Sequence, residues 1–231
     1  MTTTPSPSRA HPQQAAPVKA APAAALDDLE LAALISSKIC HDLISPVGAI
    51  ANGLEVIADD DEQQSRDFAM EVIHNSTVAA SAKLQFFRFA FGSAGSVGAV
   101  VDLAMAEQIA RAYVGRGKHK LSWQSPPGQM PKDKLKLFLN LIASALTALP
   151  RGGEIIAAVR GRIDDPAFEV RCIGAGARPP AYLRDFIATP EGLKVEALSV
   201  QAYYTVRLAR LAGLRLGAGM EGVDAVLAAV R

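Results

Sequence analysis

The chain has 231 residues, half of them hydrophobic and a fifth charged, which is enough to build one large or two modest folded domains. A formal net charge of +1 argues against a broadly basic nucleic-acid-binding surface, and no apolar run reaches the roughly 18 residues that a membrane span needs. The two cysteines, Cys40 and Cys172, form neither a disulfide framework nor a metal-binding cluster, so we expect a cytoplasmic protein that binds no metal of its own.

The first 25 residues are rich in proline, alanine, serine and threonine and contain no acidic residue. They lack the apolar central segment of a signal peptide. A segment of this composition cannot bury enough apolar surface to offset the entropy that folding costs. We therefore expect residues 1–25 to form a disordered tail.

Two long helices are expected next, at residues 26–58 and 62–91. In each, apolar residues recur in steps of three and four, which is the spacing of one helical face. The first set is Leu31, Ile35, Ile39, Leu43, Val47, Ile50, Leu54 and Ile57, and the second is Ala69, Ile73, Thr77, Ala80, Leu84, Phe87 and Phe91. The short polar turn between the helices predicts an antiparallel hairpin over residues 26–92. Because a pair of helices leaves part of each apolar face exposed to solvent, we expect two copies to pair as a four-helix bundle in a homodimer.

Small residues at 92–99, "GSAGSVGA", predict a domain boundary, and the pattern beyond it is mixed. Helices are expected at 101–114, 131–149 and 198–212, and strands at 120–123, 154–160, 168–174, 214–219 and 225–231. Interleaved strands and helices are typical of a two-layer α/β sandwich. The expected fold class is therefore α+β, with a helical hairpin followed by an α/β domain at 100–231.

The stretch "KICHDLISPVGAI", residues 38–50, carries a histidine next to an acid inside the first predicted helix. His41 shares a helical face with Lys38 and Ser45, and the apolar residues on either side of it point the other way. Asp42 can accept the Nδ1 proton of His41 and leave a free lone pair on Nε2, which a nucleophilic imidazole needs. Pro46 interrupts the same helix at a cost of about 3 kcal/mol, so the distortion must be compensated or useful.

The segment "HDLISPVGAI" resembles the phospho-acceptor box of dimeric histidine kinases, in which a histidine and an acid precede a small hydroxyl residue and a proline. The longer segments "SSKICHDLISPVGAIANGLEVI" and "KLQFFRFAFGSAGS" resemble the ChpT family of alphaproteobacterial histidine phosphotransferases. The resemblance implies that His41 accepts the phosphoryl group, that Asp42 orients its imidazole and that Pro46 marks a kink. Lys38 is a further candidate for steadying phosphate oxygens, and Ser45 for lining the docking surface.

The resemblance also implies that the second domain is a degenerate form of the ATP-binding (Bergerat) domain of histidine kinases. "NLIASALTALPRGG" resembles the first nucleotide box, but Ser144 replaces the asparagine that binds magnesium. "RCIGAG" resembles the second box, but Cys172 replaces the aspartate that binds adenine. Residues 176–198 contain no Gly-x-Gly-x-Gly lid. We therefore expect a domain that binds neither ATP nor another cofactor.

By this resemblance, the chain relays a phosphoryl group between receiver-domain aspartates through a phosphohistidine at His41. The implied donor is the receiver domain of a hybrid histidine kinase (CckA-like), and the implied acceptors are response regulators (CtrA-like and CpdR-like). The receiver domain would bring the magnesium ion, so this chain needs to add little beyond the imidazole. Two alternatives stay open: an active histidine kinase with an atypical ATP site, and a non-catalytic dimeric scaffold in which His41 is incidental.

Overall fold

The computed structural model describes residues 26–60, 62–92, 98–115, 117–189 and 193–231. The predicted tail at 1–25 and most of the predicted boundary at 92–99 lie outside the described residues. Within those ranges, no helix combines the length and the apolar character that crossing a lipid bilayer requires.

The two predicted N-terminal helices are present as α1 (Asp28–Asp59) and α2 (Gln63–Ala90), which pack against each other as a hairpin. Helix α1 starts with a capping box. The Asp27 carboxylate accepts a hydrogen bond from the backbone N–H of Glu30 at 2.7 Å. In return, the Glu30 carboxylate accepts a hydrogen bond from the backbone N–H of Asp27 at 3.3 Å. These bonds satisfy backbone donors that the first turn of a helix otherwise leaves without partners.

The apolar face predicted for α1 divides between two sides of the helix. Leu31 is buried and Ile39 and Leu43 pack against the main core, whereas Val47 and Leu54 are each 55% exposed in the single chain. The reason is geometric, because each step of four residues turns a helix by about 400°, roughly 40° beyond a full turn. Four such steps separate Leu31 from Val47, so these two side chains lie on nearly opposite sides of α1.

Residues 100–231 form seven strands and four helices in the described ranges. The strands are β1 (Val100–Asp102), β2 (His119–Gln124), β3 (Gln129–Pro131), β4 (Gly153–Arg162), β5 (Asp165–Ile173), β6 (Arg215–Glu221) and β7 (Asp224–Val230). The helices are α3 (Leu103–Val114), α4 (Lys132–Ala148), α5 (Ala181–Ala188) and α6 (Val200–Leu211). Strands β1 and β3 pair as a small ribbon, and the other five form one sheet in the order β2–β4–β5–β7–β6.

The five-stranded sheet and its helices make the predicted two-layer α/β sandwich. Strands β2 and β4 run parallel, and the remaining neighbours run antiparallel. Along β5, Phe168, Val170 and Cys172 are fully buried, and the residues between them are partly exposed. This alternation shows that the helices cover one face of the sheet, as the period of two in a half-buried strand requires. The predicted α+β fold class is confirmed.

Strands β1 and β3 and helix α5 were not predicted, and α3 begins later than expected. The helix expected from residue 101 begins two residues later, because Asp102 ends β1 and its carboxylate caps α3 by accepting from the N–H of Ala104 at 2.7 Å. Strand β3 has only three residues, too few to show a pattern. Helix α5 has only eight residues and follows Pro179 and Pro180. Two consecutive prolines are a stronger signal of a turn than of a helix start, so the sequence did not indicate this helix.

The base of the hairpin packs into the sandwich, and we call this contact the joint: Phe86, Phe87 and Ala90 of α2, Tyr113 of α3 and Asn140 of α4. The ring of Phe86 stacks on that of Tyr113 with centroids 3.7 Å apart, and Phe87 meets the same ring edge-on. The fully buried Asn140 donates a hydrogen bond from Nδ2 to the Ala90 carbonyl at 2.9 Å. The hairpin and the sandwich therefore share one continuous hydrophobic core.

Candidate active site

His41 lies in the middle of α1, with 71% of its side chain exposed. Its Nδ1 is 3.4 Å from Oδ1 of Asp42, a long contact that a small movement turns into a hydrogen bond. When Nδ1 carries the proton and donates it toward Asp42, Nε2 keeps its lone pair. In the described part of the chain, Nε2 has no hydrogen-bond partner. The predicted pairing of His41 with Asp42 is therefore geometrically available, with Nε2 free to attack an electrophile.

Asp42 is less exposed than His41 and is engaged by a second residue. Lys38, one turn earlier, donates from Nζ to Oδ2 of Asp42 in a close ion pair. The side chains of Asp42 and Lys38 are 18% and 22% exposed, so this pair is screened by water less than a surface pair is. The ammonium of Lys38 thus holds the carboxylate that faces His41, and its suggested contact with phosphate stays a prediction.

Ser45, one turn after His41, is exposed at the surface of α1. It is not among the described residues that line the cleft beside His41, whereas Lys38 and Asp42 are. The structure therefore brings together three of the four predicted site residues and leaves Ser45 outside that group. A role for Ser45 on a docking surface stays a prediction.

His41 borders an open cleft of about 640 Å³ between the hairpin and the sandwich. The hairpin side is formed by Lys38, His41, Asp42, Phe86, Phe87 and Phe91. The opposite side is formed mainly by the start of α5 and by α4 and α6, with Ser144, Thr147, Arg178, Tyr182, Arg184, Leu198 and Gln201 among its residues. A separate protein domain that reached His41 would therefore meet both halves of the molecule.

Sequence reasoning missed the two arginines across the cleft. Arg178 and Arg184 are exposed and flank the start of α5, and the Arg178 backbone N–H is anchored by the Ala148 carbonyl at 3.0 Å. They place positive charge in the cleft that contains His41. No local pattern connects these arginines to a histidine so far away in the chain, because only the joint brings the two halves together.

Ser144 and Cys172, the two positions at which the sequence resemblance implies a lost nucleotide-binding residue, are both part of the folded core. Ser144 is 1% exposed, and its hydroxyl donates to the Asn140 carbonyl at 2.9 Å and accepts from the Gln201 amide at 3.2 Å. Cys172 is fully buried, and this burial raises its pKa to about 12, with a smaller contribution from the charge of Asp224. The thiol is therefore neutral at physiological pH and packs as a small apolar group.

Restoring an aspartate at this position should destabilise the fold. In Cys172→Asp, a carboxylate would replace a buried thiol among apolar neighbours, at a cost of about 3 kcal/mol or more. Burial would raise the pKa of that carboxyl above its unfolded value, so the loss should be full at neutral pH and should shrink as the pH falls toward the unfolded pKa. Urea unfolding of the variant at pH 7 and pH 5 measures this, with Cys172→Asn as a neutral control of similar size. Equal stability of the two variants at both pH values would contradict the prediction.

In the part of the chain that the structure covers, no group of three or more histidine, cysteine, aspartate or glutamate side chains is arranged to hold a metal ion. The two other described histidines lie outside this cleft: His119 bonds through Nε2 to the Leu149 carbonyl at 2.9 Å, and His74 lies exposed on α2. Among the described residues, His41 is therefore the one histidine that combines exposure, an adjacent carboxylate and a cleft.

Comparisons with known proteins identify the family of the chain. The family model described as the histidine phosphotransferase C-terminal domain matches residues 103–223, more than half of the chain. The protein phosphotransferase ChpT of Brucella abortus (strain 2308) is 40% identical over 205 residues, which cover 88% of this chain and 97% of that protein. A 1.7 Å structure of a bacterial phosphotransferase superposes with a TM-score of 0.81 at 37% identity, covering 88% of this chain and 97% of that one.

More distant structures are histidine kinases. One of them, ThkA in complex with the response regulator TrrA, reaches a TM-score of 0.45 at 11% identity and covers 87% of this chain and 61% of that one, a level of similarity that does not bear on function. The family model, by contrast, covers most of the C-terminal domain. The relative from Brucella abortus covers most of the whole chain. This chain belongs to the ChpT family of histidine phosphotransferases.

Proposed function

We propose that this chain relays phosphoryl groups between the aspartates of receiver domains, with a phosphohistidine at Nε2 of His41 as the intermediate. The observation that carries the proposal is an exposed imidazole whose Nδ1 faces a carboxylate, beside a cleft that is open to a second protein. Membership of a family of histidine phosphotransferases supports it.

The reaction is a direct transfer. Nε2 attacks the phosphorus of an aspartyl phosphate, an N–P bond forms while the O–P bond to the aspartate breaks, and the aspartate leaves as a carboxylate. The imidazole keeps its proton on Nδ1 and becomes positively charged, and the carboxylate of Asp42 stabilises that charge. Transfer to a second receiver domain reverses these steps.

The cleft contributes positive charge and shape. The transition state of phosphoryl transfer is loose and spreads negative charge over three oxygens, so cations close to it lower the barrier. Arg178 and Arg184 lie across the cleft from His41 and would meet the acidic face of an incoming receiver domain. The magnesium ion of the reaction belongs to the receiver domain, which carries it to this site.

The proposed partners follow from the family. The donor is the receiver domain of a hybrid histidine kinase (CckA-like), and the acceptors are response regulators (CtrA-like and CpdR-like). The protein works in the cytoplasm as a homodimer.

The direct test is incubation with a receiver domain that carries labelled aspartyl phosphate, which should transfer the label to this chain as an acid-labile phosphohistidine. Label that enters from ATP alone would support the histidine-kinase alternative, and no labelling from either source would support the scaffold.

Magnesium and ATP should leave the melting temperature of the protein unchanged. The hydroxyl of Ser144 is already bonded to Asn140 and Gln201, and Cys172 is closed inside the core, so neither is free to bind nucleotide. A ligand present at a hundred times its Kd would stabilise the folded state by about 2.7 kcal/mol. Thermal unfolding with millimolar ATP and magnesium would register that as a rise of roughly 2–4 °C. A rise of this size would contradict the prediction and support the alternative of an active histidine kinase.

A further inference from the structure

Pro46 removes a hydrogen bond from the turn of α1 that carries His41 and Asp42. In a regular helix the carbonyl of residue 42 accepts from the N–H of residue 46, but proline has no N–H. The proline ring also crowds that same carbonyl and tilts it away from the helix axis. The Asp42 carbonyl is therefore a backbone acceptor that needs a partner from outside α1.

Lys83 of the facing helix α2 supplies that partner. Its Nζ donates to the Asp42 carbonyl oxygen at 2.8 Å, in a partly buried contact between residues that are distant in sequence. In the described part of the chain, Lys83 makes no ion pair with a carboxylate. A hydrogen bond from an ammonium is roughly twice as strong as a neutral one, and it is stronger again where water is partly excluded. The proline and the lysine thus form a matched pair across the hairpin.

The consequence is that Asp42 is held through both its side chain and its backbone. Lys38 binds its carboxylate, and Lys83 binds its backbone carbonyl. With both contacts made, the carboxylate oxygen that faces Nδ1 of His41 cannot drift away by rotation of the turn. The residue that sets the tautomer of the imidazole is therefore itself fixed from a second helix.

We propose that Lys83 is a positioning residue for phosphoryl transfer, which it assists by filling the backbone acceptor that Pro46 leaves open and so fixing Asp42 against His41. This rests on the proposed role of His41. Lys83 acts through Asp42, and it does so in the free protein, before any partner binds. Pro46 then allows the turn of α1 that carries His41 and Asp42 to be anchored to α2.

The first test removes the donor. Lys83→Met keeps the length of the apolar stem but cannot donate, so phosphoryl acceptance from a phosphorylated receiver domain should slow by about tenfold, the effect of losing one charge-assisted bond. In ¹⁵N spectra of the imidazole, the neutral form of His41 should shift from the Nδ1–H toward the Nε2–H tautomer. Lys83→Arg, which keeps a charged donor, should restore most of both properties. Lys120→Met, at an exposed position of the edge strand β2, is the matched control and should change neither.

The second test restores the missing N–H. Pro46→Ala gives residue 46 a backbone donor for the Asp42 carbonyl, so Lys83 should become dispensable in that background. Adding Lys83→Met to Pro46→Ala should then change the transfer rate and the tautomer ratio less than twofold. Because Pro46 is buried, any void that its replacement leaves is common to both members of this comparison and cancels.

The outcomes separate this proposal from the role of His41. Loss of the same size in both backgrounds would overturn the proposal, because Lys83 would then act on the phosphoryl group or the partner directly. An unchanged rate and tautomer ratio in Lys83→Met would also overturn it. The tautomer measurement needs no transfer reaction, so it tests the anchoring of Asp42 even if His41 proves not to be the phosphoryl acceptor.

Discussion

Replacement of His41 with alanine is expected to abolish phosphoryl acceptance from a phosphorylated receiver domain and to leave the fold intact. The side chain is 71% exposed and contributes nothing to the hydrophobic core, so its loss should change the free energy of unfolding by no more than about 0.5 kcal/mol. Its Nε2 is the atom that would form the N–P bond, and nothing else in the cleft supplies an equivalent nucleophile among the described residues. Labelling with a phosphorylated receiver domain and urea unfolding measure the two quantities.

His74→Ala is the matched control for this experiment, because His74 is also an exposed histidine on a hairpin helix but lies outside the cleft. It should accept phosphate at the wild-type rate. Continued labelling of His41→Ala would show that another residue is the acceptor. Unfolding or aggregation of His41→Ala would show instead that the histidine has a structural role that its exposure does not suggest.

The second large effect concerns the outer face of the hairpin. In the single chain, Val47 and Leu54 on α1 are 55% exposed, and Phe68 and Val78 on α2 are 68% and 55% exposed. Burying one such side chain is worth about 1.5–3 kcal/mol, so two copies gain considerably when they pair. We expect wild-type protein to be a dimer and the double variant Val47→Lys, Leu54→Lys to be a monomer, as measured by light scattering at micromolar concentration.

Leu211→Lys gives the control, because Leu211 is 81% exposed but lies at the end of α6, beside Asp28 and Leu31 at the start of α1 and not on the face that carries Val47 and Leu54. A single exposed leucine is ordinary on a protein surface, so this variant should remain a dimer. A monomeric wild-type protein would refute the four-helix bundle. A double variant that stays dimeric would place the contact between copies elsewhere on the molecule.

The parts of the site that adjoin each other in the chain could be predicted from the sequence. His41 and Asp42 are neighbours, Lys38 is one helical turn away, and a helix fixes how such residues face one another. Lys83 and Arg178 could not be found in this way. Their positions depend on how α2 packs on α1 and on how the joint sets the sandwich beside the hairpin, and these are contacts between distant segments.

The fold shows the same division. Strong local patterns predicted α4 and the central strands β4 and β5 to within a few residues. Short elements such as β3 and α5 lack enough residues for a period to show. Counting steps of three and four did not predict which side of α1 each apolar residue occupies. Small excesses of rotation accumulate along its 32 residues, so the first and the later apolar residues lie on different sides of the helix.

The joint has a consequence for the kinetics of the proposed relay. Aromatic stacking and the buried Asn140 hold the sandwich in place beside His41, so the cleft keeps one shape and offers one position to an incoming domain. In the proposed relay, the phosphorylated donor and the unphosphorylated acceptor would then occupy that position in turn, each excluding the other from His41. Steady-state rates should follow a ping-pong pattern, with parallel lines in double-reciprocal plots. An excess of either receiver domain in its non-productive form should act as a competitive inhibitor, so the relative abundance of the two partners sets the rate at which the signal passes.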